Sequence, residues 1–262
     1  MHPAELKRKV VNRLARASWL GLRDTVDAAR EATRIRDLMG LVEALDFSED
    51  DLEANRKLLA AAARLREPIG IVNWFLPYFQ YAFYGGIHTI LRFASGLLER
   101  HGVRSNFIIY DRPGASASEM KARLVEAFPA LAAMPLVVLG AATDPVPDSD
   151  ASVATFWTSA FVVMKNRNTK RKFYFVQDYE PLFYPASSRS ALAEATYRFG
   201  MPAIVNTPGL RDVIEREFRL PAVAFTPATD PEIFHPPPRP RPRTPFRVFF
   251  YGRPETERNA FE

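Results

Sequence analysis

The stretch IGIVNWFLPYFQYAFYGGIHTILRFASGLLERHG, residues 69–102, sets the fold class. Ile69 to Leu76 is a mostly apolar run rich in β-branched and aromatic side chains, the pattern of a strand buried on both faces. Pro77 ends the run, and the following loop carries Tyr84, Gly85 and Gly86. Beyond it Ile87, Ile90, Leu91, Ala94, Leu97 and Leu98 recur at the spacing of a helix with one buried face, which Gly102 closes. A strand, a glycine-bearing loop and an amphipathic helix make half of a βαβ unit. An α/β fold is therefore expected, with a Rossmann-like parallel sheet covered by helices on both faces.

The alternation continues downstream. Asn106 to Tyr110 reads as a second strand, and Ser118 as the cap of a helix buried through Met120, Leu124, Val125 and Phe128. Leu136 to Leu139 is a third strand, and Val153 to Trp157 a fourth leading into the apolar helix Ser159 to Lys165. Phe173 to Gln177 is the fifth, Ser187 to Phe199 a helix closed by Gly200, and Ala203 to Asn206 the sixth strand. Thr207 and Pro208 hold the cap and first-turn positions of a helix burying Leu210, Val213, Ile214 and Phe218, before a last strand at Ala222 to Phe225.

Residues 1–66 are rich in Ala, Leu, Arg and Glu, with Pro3 as the only proline, and are expected to be a helical extension. Ser48 and Asp51 form a capping-box pattern ahead of Leu52, Leu58 and Leu59. Lys7, Arg8, Lys9, Arg13, Arg16, Arg23 and Arg30 make the early part basic; a solvated helical face accounts for them, and a helix lying on anionic lipid is the alternative. Residues 67–235 form the α/β domain and 236–245 a linker. Eight prolines lie between Pro227 and Pro245, with Arg239, Arg241 and Arg243 among them, a composition that keeps a chain extended. Residues 246–262 contain one further strand, Phe246 to Tyr251, then Gly252 and Arg253. One strand cannot form a domain, so the chain reads as the front part of a longer protein.

Composition removes several function classes. At 262 residues, with 47% hydrophobic and 25% charged residues, the chain is neither disordered nor a membrane bundle. No apolar run reaches the roughly 18 residues of a spanning helix, and no signal peptide is expected. The formal charge of +5 is mild, and no nucleic-acid partner is expected. With no cysteine there is no disulfide and no thiolate site, and a cytoplasmic location fits. His2, His88, His101 and His235 are dispersed, so no metal site is expected. Walker A, G-x-G-x-x-G, HExxH and G-x-S-x-G patterns are all absent.

Ligands of an open parallel sheet bind outside the carboxyl ends of the strands, so the loops there hold the candidates. Gly85-Gly86 lets the backbone approach a phosphate at a helix N-terminus, although a plain turn needs the same residues. His88 in the first helical turn is either an anion contact and acid or base, or structural. Gln177-Asp178-Tyr179-Glu180, followed by Phe183-Tyr184-Pro185, offers two carboxylates and an amide for sugar hydroxyls or acid/base work; a polar turn is the alternative. Asn206-Thr207 and Thr158-Ser159 are two further candidates, for which a helix cap is the simpler account. Arg253 and Arg258 suit a pyrophosphate, because guanidinium forks match phosphate oxygens.

Taken in order, several segments resemble the GT-B glycosyltransferases of the family 4 type, most closely the bacterial rhamnosyltransferases of S-layer and rhamnan glycans. They are Asn73-Trp74-Phe75-Leu76-Pro77, Phe83-Tyr84-Gly85-Gly86-Ile87-His88-Thr89-Ile90 and Phe175-Val176-Gln177-Asp178-Tyr179-Glu180-Pro181 with Phe183-Tyr184-Pro185. Ala228 to Pro236 looks like the family's G-V-D-x-x-x-F-x-P segment, and Tyr251-Gly252-Arg253 with Arg258 like its G-R-x-x-x-x-K with arginine for lysine. The likeness covers about residues 69–262.

The resemblance implies a retaining, metal-independent transferase without a cofactor, moving L-rhamnose from dTDP-L-rhamnose to a growing cell-surface polysaccharide. Gly85, Gly86, Arg253 and Arg258 would hold the donor phosphates of this nucleoside-diphosphate sugar. Gln177, Asp178 and Glu180 would serve catalysis, although many relatives carry histidine where Gln177 stands. His88, Tyr179 and Tyr184 would bind the glycan acceptor. The residues 246–262 would open a donor-binding C-terminal domain, so this piece alone is expected to be inactive. Peripheral contact with the inner membrane belongs to the same expectation. The alternatives are a non-catalytic glycan-binding module and a sugar-nucleotide epimerase of the same architecture.

Overall fold

A computed structural model of the protein describes residues 45–232, together with 234–236, 245 and 248. The basic run Lys7 to Arg30, the linker arginines, the strand expected from Phe246 to Tyr251, and Arg253 and Arg258 lie outside the described residues.

In chain order the elements are α1 (Glu49–Ala62), β1 (Ile71–Leu76), α2 (Gly85–His101), β2 (Arg104–Ile109), α3 (Ala117–Ala127), β3 (Leu136–Val138), β4 (Ala151–Ala154), α4 (Trp157–Lys165), β5 (Lys172–Val176), α5 (Ser188–Ala195), β6 (Ala203–Val205), α6 (Pro208–Phe218) and β7 (Ala222–Ala224). All seven strands join one parallel sheet, ordered β3-β2-β1-β4-β5-β6-β7. The expected α/β, Rossmann-like class is what the chain adopts. The strand order reverses direction between β1 and β4, and such a switch point opens a crevice at the strands' carboxyl ends.

Strand alternation divides the core between the two faces of the sheet. Val72, Trp74 and Leu76 of β1 pack with Ile87, Ile90, Leu91 and Ala94 of α2 and with Met120 and Leu124 of α3. Phe75 points the other way and joins Tyr174 and Val176 of β5, Trp157, Phe161 and Val163 of α4, and Ile214 of α6. A fully buried side chain of this size contributes about 1.5–3 kcal/mol. Polar groups of β1 and β2 inside the sheet are paired: Asn106 donates to Asn73 Oδ1 at 2.8 Å, Asn73 donates to the Pro147 carbonyl at 2.6 Å, and Trp74 Nε1 donates to Ser105 Oγ at 3.1 Å.

Several boundaries move from their expected places. Ser116, not Ser118, accepts the cap bond of α3, from the Glu119 N–H. Trp157 begins α4 instead of ending β4, because Ser159 Oγ accepts from the Thr155 and Phe156 amides and turns the chain there. The helix expected from Ser187 to Phe199 is α5 followed by a 3₁₀ turn at Thr196–Phe199. Thr196 Oγ1 donates back to the Ala193 carbonyl at 2.6 Å at that point. In α6, Leu210 and Ile214 are buried, while Val213 and Phe218 are only half-buried. The caps at Thr207, Gly102 and Ser48 stand as expected; Gly102 adopts φ +66°, a conformation that costs glycine nothing.

α1 is fastened to the α/β body. Leu52 and Leu59 pack on the core beside α4, Asn55 donates to the Phe199 carbonyl at 2.9 Å, and Lys172 Nζ donates to Asn55 Oδ1 at 3.1 Å and to the Met164 carbonyl at 2.6 Å. Burial, then the nearby Arg167 charge, pulls the Lys172 ammonium down to about 7.

Candidate functional site

Four loops meet above the carboxyl ends of β1, β4, β5 and β6. The loop after β1 leads straight into α2, so Gly85 and Gly86 form its first turn, both exposed, with no side-chain hydrogen bond capping that end. A Cβ on Gly85 would meet nothing within 4 Å, whereas one on Gly86 would stand 3.4 Å from Gln177 Nε2. Gln177 donates from that nitrogen to the Gly86 carbonyl at 3.2 Å. The glycine turn and the end of β5, separated by 90 residues of sequence, are therefore neighbours. Asn206 Nδ2 in turn donates to the Gln177 carbonyl, and Thr155 Oγ1 donates to the Phe75 carbonyl at 2.7 Å. The open first turn of a helix presents amide donors and the positive end of its dipole, which suits an anionic group.

The structure separates the Gln177-Asp178-Tyr179-Glu180 run. Gln177 and Asp178 are partly exposed at the strand end, and the Asp178 carboxylate accepts from the Tyr179 N–H at 2.8 Å. Glu180 turns inward and is only 2% exposed. Its Oε2 accepts from the Tyr174 hydroxyl, its own N–H donates to the Tyr197 hydroxyl at 3.2 Å, and the Trp157 N–H donates to its carboxylate. Burial raises the Glu180 carboxyl to about 8. A carboxyl bonded to the first amide of α4 caps that helix from another element, since Phe156 has no polar atom to do so. Glu180 thus ties the β5 loop to the start of α4 and does not reach the crevice.

The aromatic residues expected at the acceptor also divide. Tyr179 stacks on Tyr197 at 5.7 Å and leans on Phe218. Tyr184 meets Trp157 edge-on, and its hydroxyl accepts from Trp157 Nε1 at 2.9 Å. His88 lies one turn into α2 between Phe83 and Phe128, with ring centroids 6.3 and 4.9 Å away. Burial, then the Arg92 guanidinium, pulls the His88 imidazole below its ordinary value. Arg92 itself pairs with Asp230 at 3.7 Å. That contact brings the Ala228 to Pro236 segment beside α2, and Phe225 just before it stacks on Phe175 at 5.4 Å.

Two participants escaped sequence reasoning, and a third, Asn206, for which a cap is the favoured reading of the sequence, clamps the Gln177 backbone. Phe156 stacks on Phe183 at 6.1 Å across the β4 and β5 loops. Asp111 accepts from the Tyr78 N–H at 2.7 Å and anchors the β1 loop. Each stands one or two residues past a strand, and that position was the available signal. Among the described residues no group of three His, Asp or Glu side chains is placed to hold a metal ion, and no helix is long and apolar enough to cross a membrane.

This loop cluster falls within the part of the chain that other proteins share. The family described as WsaF, N-terminal domain, matches residues 71–207, from the start of β1 to the cap of α6. The O-antigen biosynthesis protein RfbC of Myxococcus xanthus is 40% identical over 265 residues, which covers 100% of this chain and 20% of that protein. The chain therefore spans about one fifth of the length of this relative. Because the match takes in the whole sheet from β1 through β6 and just over half of the residues, the chain belongs to the WsaF N-terminal domain family.

Proposed function

We propose that this chain is the acceptor-side part of a glycosyltransferase of GT-B type that builds a cell-surface polysaccharide. The observation that carries the reading is the uncapped, glycine-built first turn of α2 at the topological switch point, bridged to the end of β5 by Gln177. Family membership and the O-antigen biosynthesis relative support the same direction. The donor is a nucleoside-diphosphate sugar, dTDP-L-rhamnose, and the acceptor a growing glycan.

Transfer is retaining and uses no metal. The Gly85 and Gly86 amides face the donor diphosphate, and Arg253 and Arg258 neutralise the charge that grows on the departing nucleoside diphosphate. Gln177 and Asp178 contact sugar hydroxyls at the reacting end. Glu180 is a positioning residue that holds their loop. The enzyme works in the cytoplasm, peripheral contact with the inner membrane being the alternative to a solvated face for the basic run Lys7 to Arg30.

The test is nucleoside diphosphate release by the full-length protein from a panel of sugar nucleotides, with and without a rhamnose-containing acceptor. Acceptor-dependent release from one donor is expected, reduced at least tenfold by Arg253→Ala. Conversion of the free sugar nucleotide to another without acceptor would indicate an epimerase, and silence in both assays across the panel a glycan-binding module.

A further inference from the structure

Three exposed aromatic side chains beside the site belong to one short loop. Tyr81 is 53% exposed, Phe83 61% and Tyr84 41%, immediately before the Gly85-Gly86 turn. Exposed aromatic rings grouped together mark a contact surface more often than an accident of folding. Their footing is firm. Phe79 and Ala82 are buried, Asp111 holds the Tyr78 amide, and the Tyr78 ring lies under the Arg112 and Arg123 guanidiniums at 5.2 and 5.8 Å. Arg123 Nη1 also donates to the Tyr78 hydroxyl at 3.0 Å and to the Phe79 carbonyl at 3.2 Å. Tyr81 and Tyr84 stand edge to face at 5.5 Å, and Phe83 lies nearly parallel to the His88 ring. Rings held in place before a ligand arrives lose little entropy on binding it.

We propose that Tyr81, Phe83 and Tyr84 form a stacking platform for the pyranose rings of a neutral glycan, with His88 beside Phe83 taking a sugar hydroxyl. The proposal rests on the glycan-transfer reading and moves the acceptor contact from Tyr179 and Tyr184, whose rings are engaged in packing, to the β1 loop. Three features of the loop favour a glycan over other partners. The platform is continuous with the glycine turn, so a chain lying on it ends at the proposed transfer point. Two of its three rings carry a hydroxyl, which pairs with sugar oxygens while the ring face meets sugar C–H groups. The nearby guanidiniums of Arg112 and Arg123 are spent on Tyr78, which leaves ring faces as the main feature of the loop.

The experiment is calorimetric titration of the full-length protein, without donor, with neutral tetrasaccharides of rhamnose, mannose and galactose. Parallel samples are sedimented with vesicles of phosphatidylglycerol and phosphatidylethanolamine. Saturable binding of one tetrasaccharide is expected, weakened about tenfold in Tyr81→Ala and in Phe83→Ala, restored in Phe83→Trp and unchanged in Tyr184→Phe. Native-like affinity in both alanine variants overturns the platform. So does the absence of binding to all three tetrasaccharides, and so does vesicle binding that needs Phe83 where no tetrasaccharide binds. Tetrasaccharide binding that needs Phe83, in a protein that releases no nucleoside diphosphate from any donor, sinks the transferase reading and leaves the platform standing.

Discussion

Glu180→Gln should flatten one limb of an unusual stability profile. Glu180 and Lys172 are both 2% exposed, and each is held away from its ordinary titration range by burial. The Glu180 carboxyl moves up from 4.5 to about 8, so between those values the folded chain keeps a proton that the unfolded chain has released. Stability then falls as pH rises through that window. The Lys172 ammonium moves down from 10.5 to about 7, so above 7 the folded chain sheds a proton that the unfolded chain retains, and stability rises with pH. Each displacement corresponds to roughly 4–5 kcal/mol at its limit, against a total of about 5–15 kcal/mol for a typical domain. The two windows overlap near neutrality, where the protein should be least stable.

Urea unfolding followed by tryptophan fluorescence, at half-unit steps from pH 5 to 9.5, resolves the trough through the denaturation midpoint. This range stays above the Asp51 and Asp150 carboxylates, which hydrogen bonds hold low, and below the titration of the buried tyrosines Tyr110 and Tyr174, which burial holds high. His88, held low by burial, adds a rise with pH below its ordinary value of 6.5 that is common to all variants. Glu180→Gln keeps an acceptor for Tyr174 and should flatten the falling limb between pH 5 and 8, leaving the part that Asp111, also raised by burial, supplies; Lys172→Met should flatten the rising limb above 7, leaving the part that Lys121 and Lys165, lowered by burial, supply. Equal slopes in the native chain and in Glu180→Gln over pH 5–8 would refute the inward placement of Glu180.

Further consequences follow from packing. Asn55→Leu removes the acceptor of Lys172 and the donor to the Phe199 carbonyl, so a loss of about 2–4 kcal/mol in urea unfolding is expected. Because Asn55 joins α1 to β5, hydrogen exchange in α1 should rise with that loss. Leu91→Ala empties a site with no solvent exposure between α2 and the sheet and should cost about 3 kcal/mol, read as a lower thermal midpoint. Asn206→Ala unties the Gln177 carbonyl; overall stability should fall by about 1 kcal/mol, while nucleoside diphosphate release by the full-length protein falls further than that loss explains.

The sequence by itself determined what local chemistry controls. The apolar run into Leu76, the helical spacing after Gly86, and the caps at Ser48, Gly102 and Thr207-Pro208 depend on neighbours a few residues away, and the structure repeats them. Helices between most successive strands also implied a parallel sheet covered on both faces, though not which strand lies in its centre. The start of α4 misled because Trp157 suits a strand as well as a helix, and the deciding bonds to Ser159 Oγ come from the backbone.

The tertiary structure alone decided which polar residues face the crevice. Gln177, Asp178 and Glu180 look alike on the page, yet a 3₁₀ turn beginning at Glu180 sends that carboxyl under Tyr174 and onto the first amide of α4. Lys172 is one of a run of basic residues, and only the docking of α1 over β5 makes it a buried ammonium. The same holds for Gln177 and Gly86, which meet because β1 and β5 flank β4 in one sheet. Burial and long-range hydrogen bonds are properties of the assembled layers, and no window of sequence contains both partners.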